Sequence, residues 1–242
     1  MTELLYLDDH YLKEFDAVVI EIPDLKSVIL DRTALYPRGG GQPSDHGTIV
    51  FKDGSSYEVV DSAKNENRVV HSLLSEIGQA RIGEQVHCMV DWSLRYLHMR
   101  YHTALHILSG VAFLSFGARI TGGQIYPDRA RLDFSLDDLS KERVATFESE
   151  INKVVREDRE VKTYWLTAEE ALKRKDMYRL SADLLPRGLN KLRIVDIVGF
   201  DAQFDGGTHV KRTSEVGEIR ITKTQNKGKD NKRIEIVLSQ QP

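Results

Sequence analysis

Two histidines, His102 and His106, stand four residues apart in the string Arg100-Tyr101-His102-Thr103-Ala104-Leu105-His106-Ile107-Leu108. On a helix that spacing puts both imidazoles on one face, one turn apart, where two ring nitrogens can meet a single ion. With 8 histidines in 242 residues, chance gives roughly 0.26 such pairs, so the pair alone is weak. Far along the chain, Phe204-Asp205-Gly206-Gly207-Thr208-His209 adds a carboxylate and a third imidazole, with two glycines that let the backbone fold sharply between them. His102, His106, Asp205 and His209 then make a three-nitrogen, one-oxygen tetrahedral set for one divalent ion, zinc first among them. Asp205 either ligates directly or stands behind three histidines and leaves a position open. His98 pairs with His102 at the same spacing and reads as the solvated next turn.

These residues need a frame. Leu94, Leu97, Tyr101, Leu105, Leu108 and Ala112 fall at helical spacing, and Gly117 is placed to close the helix. His102 and His106 each follow a residue of that stripe, which sets them at its edge. A second helix is expected from Lys141, with Ser140 as N-cap and Val144, Phe147, Ile151, Val154 and Val155 on one face. Thr167-Ala168-Glu169-Glu170 has the spacing of a capping box and opens a third. Strands are expected around Arg131–Phe134, Val161–Trp165, Leu192–Val198, Glu218–Thr224 and Arg233–Leu238. Residues 1–90 read differently. Ala17–Ile22, Lys26–Leu30, Gly47–Phe51, Tyr57–Val60 and Gln85–Val90 are short β-branched runs bounded by Pro, Gly, Asp or Ser. The fold class is therefore α+β. A small β-barrel-like domain over 1–90 precedes an α+β domain over 91–242, whose helices pack on a mostly antiparallel sheet.

Hydrophobic residues make up 40% and charged residues 29%, the balance of a globular chain. The start of the chain lacks the basic and long apolar run of a signal peptide, and no stretch is apolar enough to span a bilayer. The one cysteine, Cys88, suits a reducing compartment, so a cytoplasmic location is expected, and its own reading is a buried filler. A net charge of −3 excludes the overall basic field common in non-specific nucleic-acid binders, though not a local footprint. Lys223 to Arg233 is such a stretch: a basic hairpin tip that can be merely solvated or can touch phosphates. Tyr36-Pro37-Arg38-Gly39-Gly40-Gly41-Gln42-Pro43-Ser44-Asp45 is Gly-rich, but no Gly-Lys-Ser/Thr follows, so it is no P-loop; alone it reads as a tight turn.

Taken together these blocks resemble the editing domain of alanyl-tRNA synthetase. The histidine string is similar to that domain's metal-binding helix, and Gly206-Gly207-Thr208-His209 to its second metal motif. Tyr36 to Pro43 is similar to its Gly-rich element, Arg131-Leu132-Asp133-Phe134-Ser135 to an intermediate block, and Gly217-Glu218-Ile219 with Arg233-Ile234-Glu235 to its closing strands. The order is right from about residue 30 to the end, and the size fits the medium-length freestanding editors called AlaX, without the ATP-binding and aminoacylation body. The resemblance implies trans-editing: zinc-dependent hydrolysis, with one ion per chain, of an amino acid wrongly esterified to alanine tRNA. Serine is the chief substrate, with glycine a second candidate, and correctly charged alanine is spared. The implied partner is the acceptor arm of that tRNA, and Arg38, Lys227, Lys229 and Lys232 are its expected contacts. Thr121 resembles the hydroxyl residue that reads serine in family members, although a β-turn threonine is its other reading. Gly40 and Gln42 are carried over as substrate contacts. The amides of Gly206 and Gly207 are candidate donors to the oxyanion. The family usually has cysteine where this chain has Asp205. Two rivals remain: an RNA-binding module with a structural metal, and a metal-dependent hydrolase of small esters.

Overall fold

The computed structural model describes residues 1–78, 82–174, 177, 179 and 190–239. The chain divides into two compact units, Met1–His98 and Met99–Pro242. In chain order the elements are β1 (Glu3–Leu4), β2 (Glu14–Asp24), β3 (Ser27–Leu30), β4 (Arg32–Thr33), β5 (Gly47–Phe51), β6 (Ser56–Asn65), β7 (Arg68–Leu73), β8 (Gln85–Val90), α1 (Trp92–Phe116), β9 (Ile120–Ile125), β10 (Ala130–Phe134), α2 (Lys141–Arg156), β11 (Val161–Thr167), α3 (Ala168–Lys173), β12 (Lys191–Ile197), β13 (Asp201–Phe204), β14 (Ile219–Gly228) and β15 (Asn231–Leu238).

In the first unit, β2, β3, β7, β6, β5 and β8 close an antiparallel barrel in that order. Period-2 alternation drives it. Val86, Cys88 and Val90 of β8 point inward with Phe15, Val19, Val28, Leu30, Ile49 and Val59, while Gln85, His87 and Met89 face out. Cys88 is fully buried, and burial pushes its thiol up to about 12, so it is the inert filler expected. The Gly-rich segment is tied down inside this unit. Gly39 and Gln42 exchange backbone hydrogen bonds of 3.1 and 2.9 Å around Gly40 and Gly41, whose φ angles of 59° and 87° suit a primed turn. Asp45 accepts from the Tyr36 N–H and from the wholly buried Arg95 of α1.

In the second unit, β14, β15, β10 and β9 form one antiparallel sheet and β11, β12 and β13 another. Helix α1 departs from the single stripe expected: every residue from Met99 to Ala112 is buried. His98 is buried too, rather than solvated. Helix α2 starts at Ser140, whose side chain accepts from the Arg143 N–H, and buries Phe147, Ile151, Val154 and Val155. Its Asn152 exchanges hydrogen bonds with both backbone groups of Ile219, which caps the edge of β14. The Thr167 capping box opens α3 as expected. Thr121, Gly122 and Gly123 lie in strand β9 rather than in the β-turn that is the other reading of Thr121. A Cβ on Gly123 would lie 2.9 Å from the Leu132 side chain, so glycine here permits close pairing with β10.

Candidate metal centre

His102 and His106 lie one turn apart on α1, with ring centroids 5.1 Å apart. His209 comes from the segment after β13, its ring 4.4 Å from that of His102 and 4.5 Å from that of His106. Asp205 faces all three. Its Oδ1 is 3.4 Å from Nε2 of His102 and 3.9 Å from Nε2 of His106, and its Oδ2 is 3.1 Å from Nε2 of His209. Each residue offers one ligand atom, and these atoms all lie within 4.8 Å of one another. Three Nε2 atoms and a carboxylate converging from two elements match the number and type of donors in a tetrahedral zinc site. The residues present therefore fit such an ion.

The surroundings hold these side chains in place. Nδ1 of His209 is 3.1 Å from the Thr103 hydroxyl, which also accepts the Val210 N–H at 3.3 Å. With Nε2 ligating an ion, Nδ1 would keep the proton and donate it to Thr103, which would fix both ring and tautomer. The Gly207 N–H donates to Oδ2 of Asp205, leaving Oδ1 turned toward the α1 histidines. Buried Arg193 clamps the loop by donating to the carbonyls of Asp205 and Gly207 at 3.1 and 3.0 Å. Behind His106, Nε2 of Gln203 donates to the His106 carbonyl at 3.2 Å, to the Ser109 hydroxyl at 2.7 Å and to Asp201 at 2.7 Å.

The electrostatics suit metal ligands. Burial lowers the His209 pKa well below the usual imidazole value, and repulsion from His102 and His106 adds to it. Burial also lowers His106, against the pull of Asp205. For Asp205, burial alone would raise the carboxyl, but the three imidazoles outweigh it and hold the group well below the ordinary carboxylate range. Neutral His106 and His209 beside an ionised Asp205 are in the protonation states that a metal requires.

The remaining expected residues fall outside the cluster. Thr121 lies on β9, and its hydroxyl donates to Asn231 at 3.0 Å. The Gly207 N–H is engaged by Asp205, whereas Gly206 is exposed with nothing within 4 Å of where its Cβ would be. Gly40 sits at an exposed turn tip; Gln42 is buried and closes that turn. Arg38 is largely exposed yet paired with Asp61. Lys227 and Lys229 are exposed on the β14–β15 hairpin. Lys232 requires a correction. It is buried, and its ammonium donates to the carbonyls of Gly228 and Lys229 at 2.9 and 2.8 Å. It therefore holds the hairpin turn rather than presenting a charge outward. The sequence did not single out Thr103, Arg193 or Gln203. Thr103 had a signal, a hydroxyl next to His102; the other two act through tertiary contacts that leave no local pattern.

Comparison with known proteins shows what the chain is similar to. The family described as threonyl and alanyl tRNA synthetase second additional domain matches residues 192–235, and tRNA synthetases class II (A) matches residues 8–94. The alanyl-tRNA editing protein AlaX-M of Methanosarcina acetivorans is 40% identical over 243 residues, covering 98% of this chain and 99% of that protein. Its counterpart in Saccharolobus solfataricus is 42% identical over 234 residues, covering 97% of this chain and 98% of that protein. The alanine–tRNA ligase of Pyrococcus abyssi is 36% identical over 227 residues, which span 93% of this chain but 24% of the ligase.

Proposed function

The chain belongs to the AlaX-M family of alanyl-tRNA editing proteins, and from that premise we propose that it removes wrong amino acids from alanine tRNA by hydrolysing the ester at the terminal ribose. The observation that carries this reading is the buried cluster of His102, His106, Asp205 and His209 in a chain that matches such proteins almost end to end. Serine is the proposed main substrate, with glycine second.

The four cluster residues would hold one zinc ion. When bound, such an ion supplies a water of lowered pKa and polarises the ester carbonyl. The chain's own residues do the rest. Arg193 and the Gly207 N–H fix the loop so that one Asp205 oxygen faces the histidines. Gly206, the exposed member of the pair, remains the candidate N–H donor to the oxyanion. Thr121 gives its proton to Asn231, so its oxygen can still accept one from the serine hydroxyl. A site that hydrogen-bonds a hydroxyl rejects the analogue without it by ~10⁴–10⁵, because its own polar groups would stay unpaired. That is how alanine would be spared. Arg38, Lys227 and Lys229 are the proposed contacts to acceptor-arm phosphates.

The decisive experiment is deacylation of seryl- and alanyl-tRNA(Ala), with and without a chelator, beside His102→Ala. The reading requires rapid release of serine, sparing of alanine, and loss of activity in both the chelated protein and the variant. Full activity after verified metal removal would end the zinc mechanism. Equal hydrolysis of free seryl esters and seryl-tRNA would point to a small-ester hydrolase instead.

A further inference from the structure

Trp165 stands half-exposed, 47% accessible, in the middle of β11. Antiparallel register places it opposite Arg193 of β12. The next pairing reaches Asp205, whose N–H donates to the Arg193 carbonyl at 3.1 Å. Residues opposite one another in a sheet share a face, so Trp165, Arg193 and Asp205 form one cross-strand row. The rows beside it are Thr163–Val195–Gln203 and Val161–Ile197–Asp201.

Helix α1 lies across this same face. Gln203 donates to the His106 carbonyl, and a Cβ on Gly110 would come within 3.1 Å of the Asp201 Cβ. The opposite face, with Tyr164, Leu166, Ile194 and Phe204, is packed into an apolar core of its own. The indole is thus on the metal-cluster side of the sheet. Two inter-strand spacings, about 10 Å, separate its backbone from that of Asp205. Among the described residues it has no aromatic or cationic partner. Lys191, exposed and opposite Thr167, adds a positive charge on the same face.

We propose that Trp165 is a stacking platform for the nucleobase of the acylated 3′ nucleotide, holding the base while the ester of the same nucleotide lies at the metal cluster. The proposal rests on the editing reading and adds the base to what the second unit binds. A flat, half-exposed indole suits this task because every base has a π-face, and a neighbouring ammonium serves the phosphate. The separation of about 10 Å is of the order spanned by one nucleotide from ribose ester to base, so a single terminal residue can touch both ends of the row.

The test uses the full chain in a Trp92→Phe background, which leaves Trp165 as the only indole. The RNA trinucleotide CCA should quench its fluorescence, and the same trinucleotide with an abasic terminal ribose should not. Trp165→Ala should weaken CCA binding about 10-fold, and Trp165→Phe by less than about threefold, since a phenyl ring still stacks. Trp165→Ala should also raise KM for seryl-tRNA while leaving hydrolysis of a free seryl ester unchanged. Equal binding of the abasic and intact trinucleotides, or full affinity in Trp165→Ala, overturns the platform. If the parent protein deacylates seryl-tRNA in the same series, the editing reading stands whatever becomes of Trp165. If it does not, that reading fails, and the fluorescence contrast still decides the platform.

Discussion

Gly110→Ala is the sharpest perturbation of the link between helix packing and the metal cluster. A Cβ at this position would lie 2.6 and 2.8 Å from the Phe200 ring and 3.1 Å from the Asp201 Cβ. Ordinary carbon contacts are about 3.5–4.0 Å, so α1 or the ring must retreat by roughly 1 Å. Asp201 is poorly placed to move, since Arg179 and Gln203 both donate to it. The helix should therefore lift, stretching the 3.2 Å bond from Gln203 to the His106 carbonyl. His106 sits one turn from Gly110, and metal–ligand distances tolerate only about 0.2 Å. Overpacking of this kind costs about 1–3 kcal/mol of stability, and a ligand lost from its position should weaken zinc affinity by about 10–100-fold. Urea unfolding of the metal-free protein and zinc competition against a chromophoric chelator read the two effects separately. Adding Phe200→Ala should relieve the clash and recover much of the affinity, a favourable coupling term in the double-mutant cycle. Gly110→Ala with wild-type unfolding midpoint and wild-type zinc affinity would refute the packing argument.

Three further outcomes are expected. Thr103→Val removes the acceptor for the Nδ1 proton of His209 and should lower zinc affinity by about 10–100-fold with all four candidate ligands retained, as equilibrium dialysis would show. His71, buried in the barrel with Ser62 at 2.8 Å, has its pKa pushed down by burial to about 4. Because the unfolded chain takes up its proton first, the contribution of His71 is intact above about pH 6.5 and is lost as pH falls toward about 4, by about 3 kcal/mol in all. Urea midpoints across that window should fall, and His71→Asn should remove most of the slope. Replacing Lys227 and Lys229 with alanine should reduce the salt dependence of tRNA affinity by about 0.7–0.9 per charge, while Lys232→Ala should chiefly destabilise the hairpin.

Much of this protein was legible in one dimension because local chemistry wrote it there. Ser140 and Thr167 announce their helices because unpaired helix N–H groups need side-chain acceptors nearby. Alternation in Gln85–Val90 reveals a barrel wall because successive side chains take opposite faces. His102 and His106 show a possible metal pair because one helical turn brings four-apart residues together. Other features depended on what packs against what. α1 carries an apolar stripe, yet every residue from Met99 to Ala112 is buried; β13 and Phe200 just before it cover the flank bearing His106 and Gly110. Strand β9 hid behind Gly122 and Gly123, which propensity sets against a strand, although the value of Gly123 is close approach to Leu132. Lys232 read as a free charge until its ammonium met two carbonyls of its own hairpin. The sequence by itself determined the donor types and the frame that carries them. Only the tertiary structure decided that Asp205 turns one oxygen to the α1 histidines: the Gly207 amide that holds the other oxygen is two residues away, but the Arg193 guanidinium that clamps the loop is brought there by strand pairing rather than by spacing along the chain.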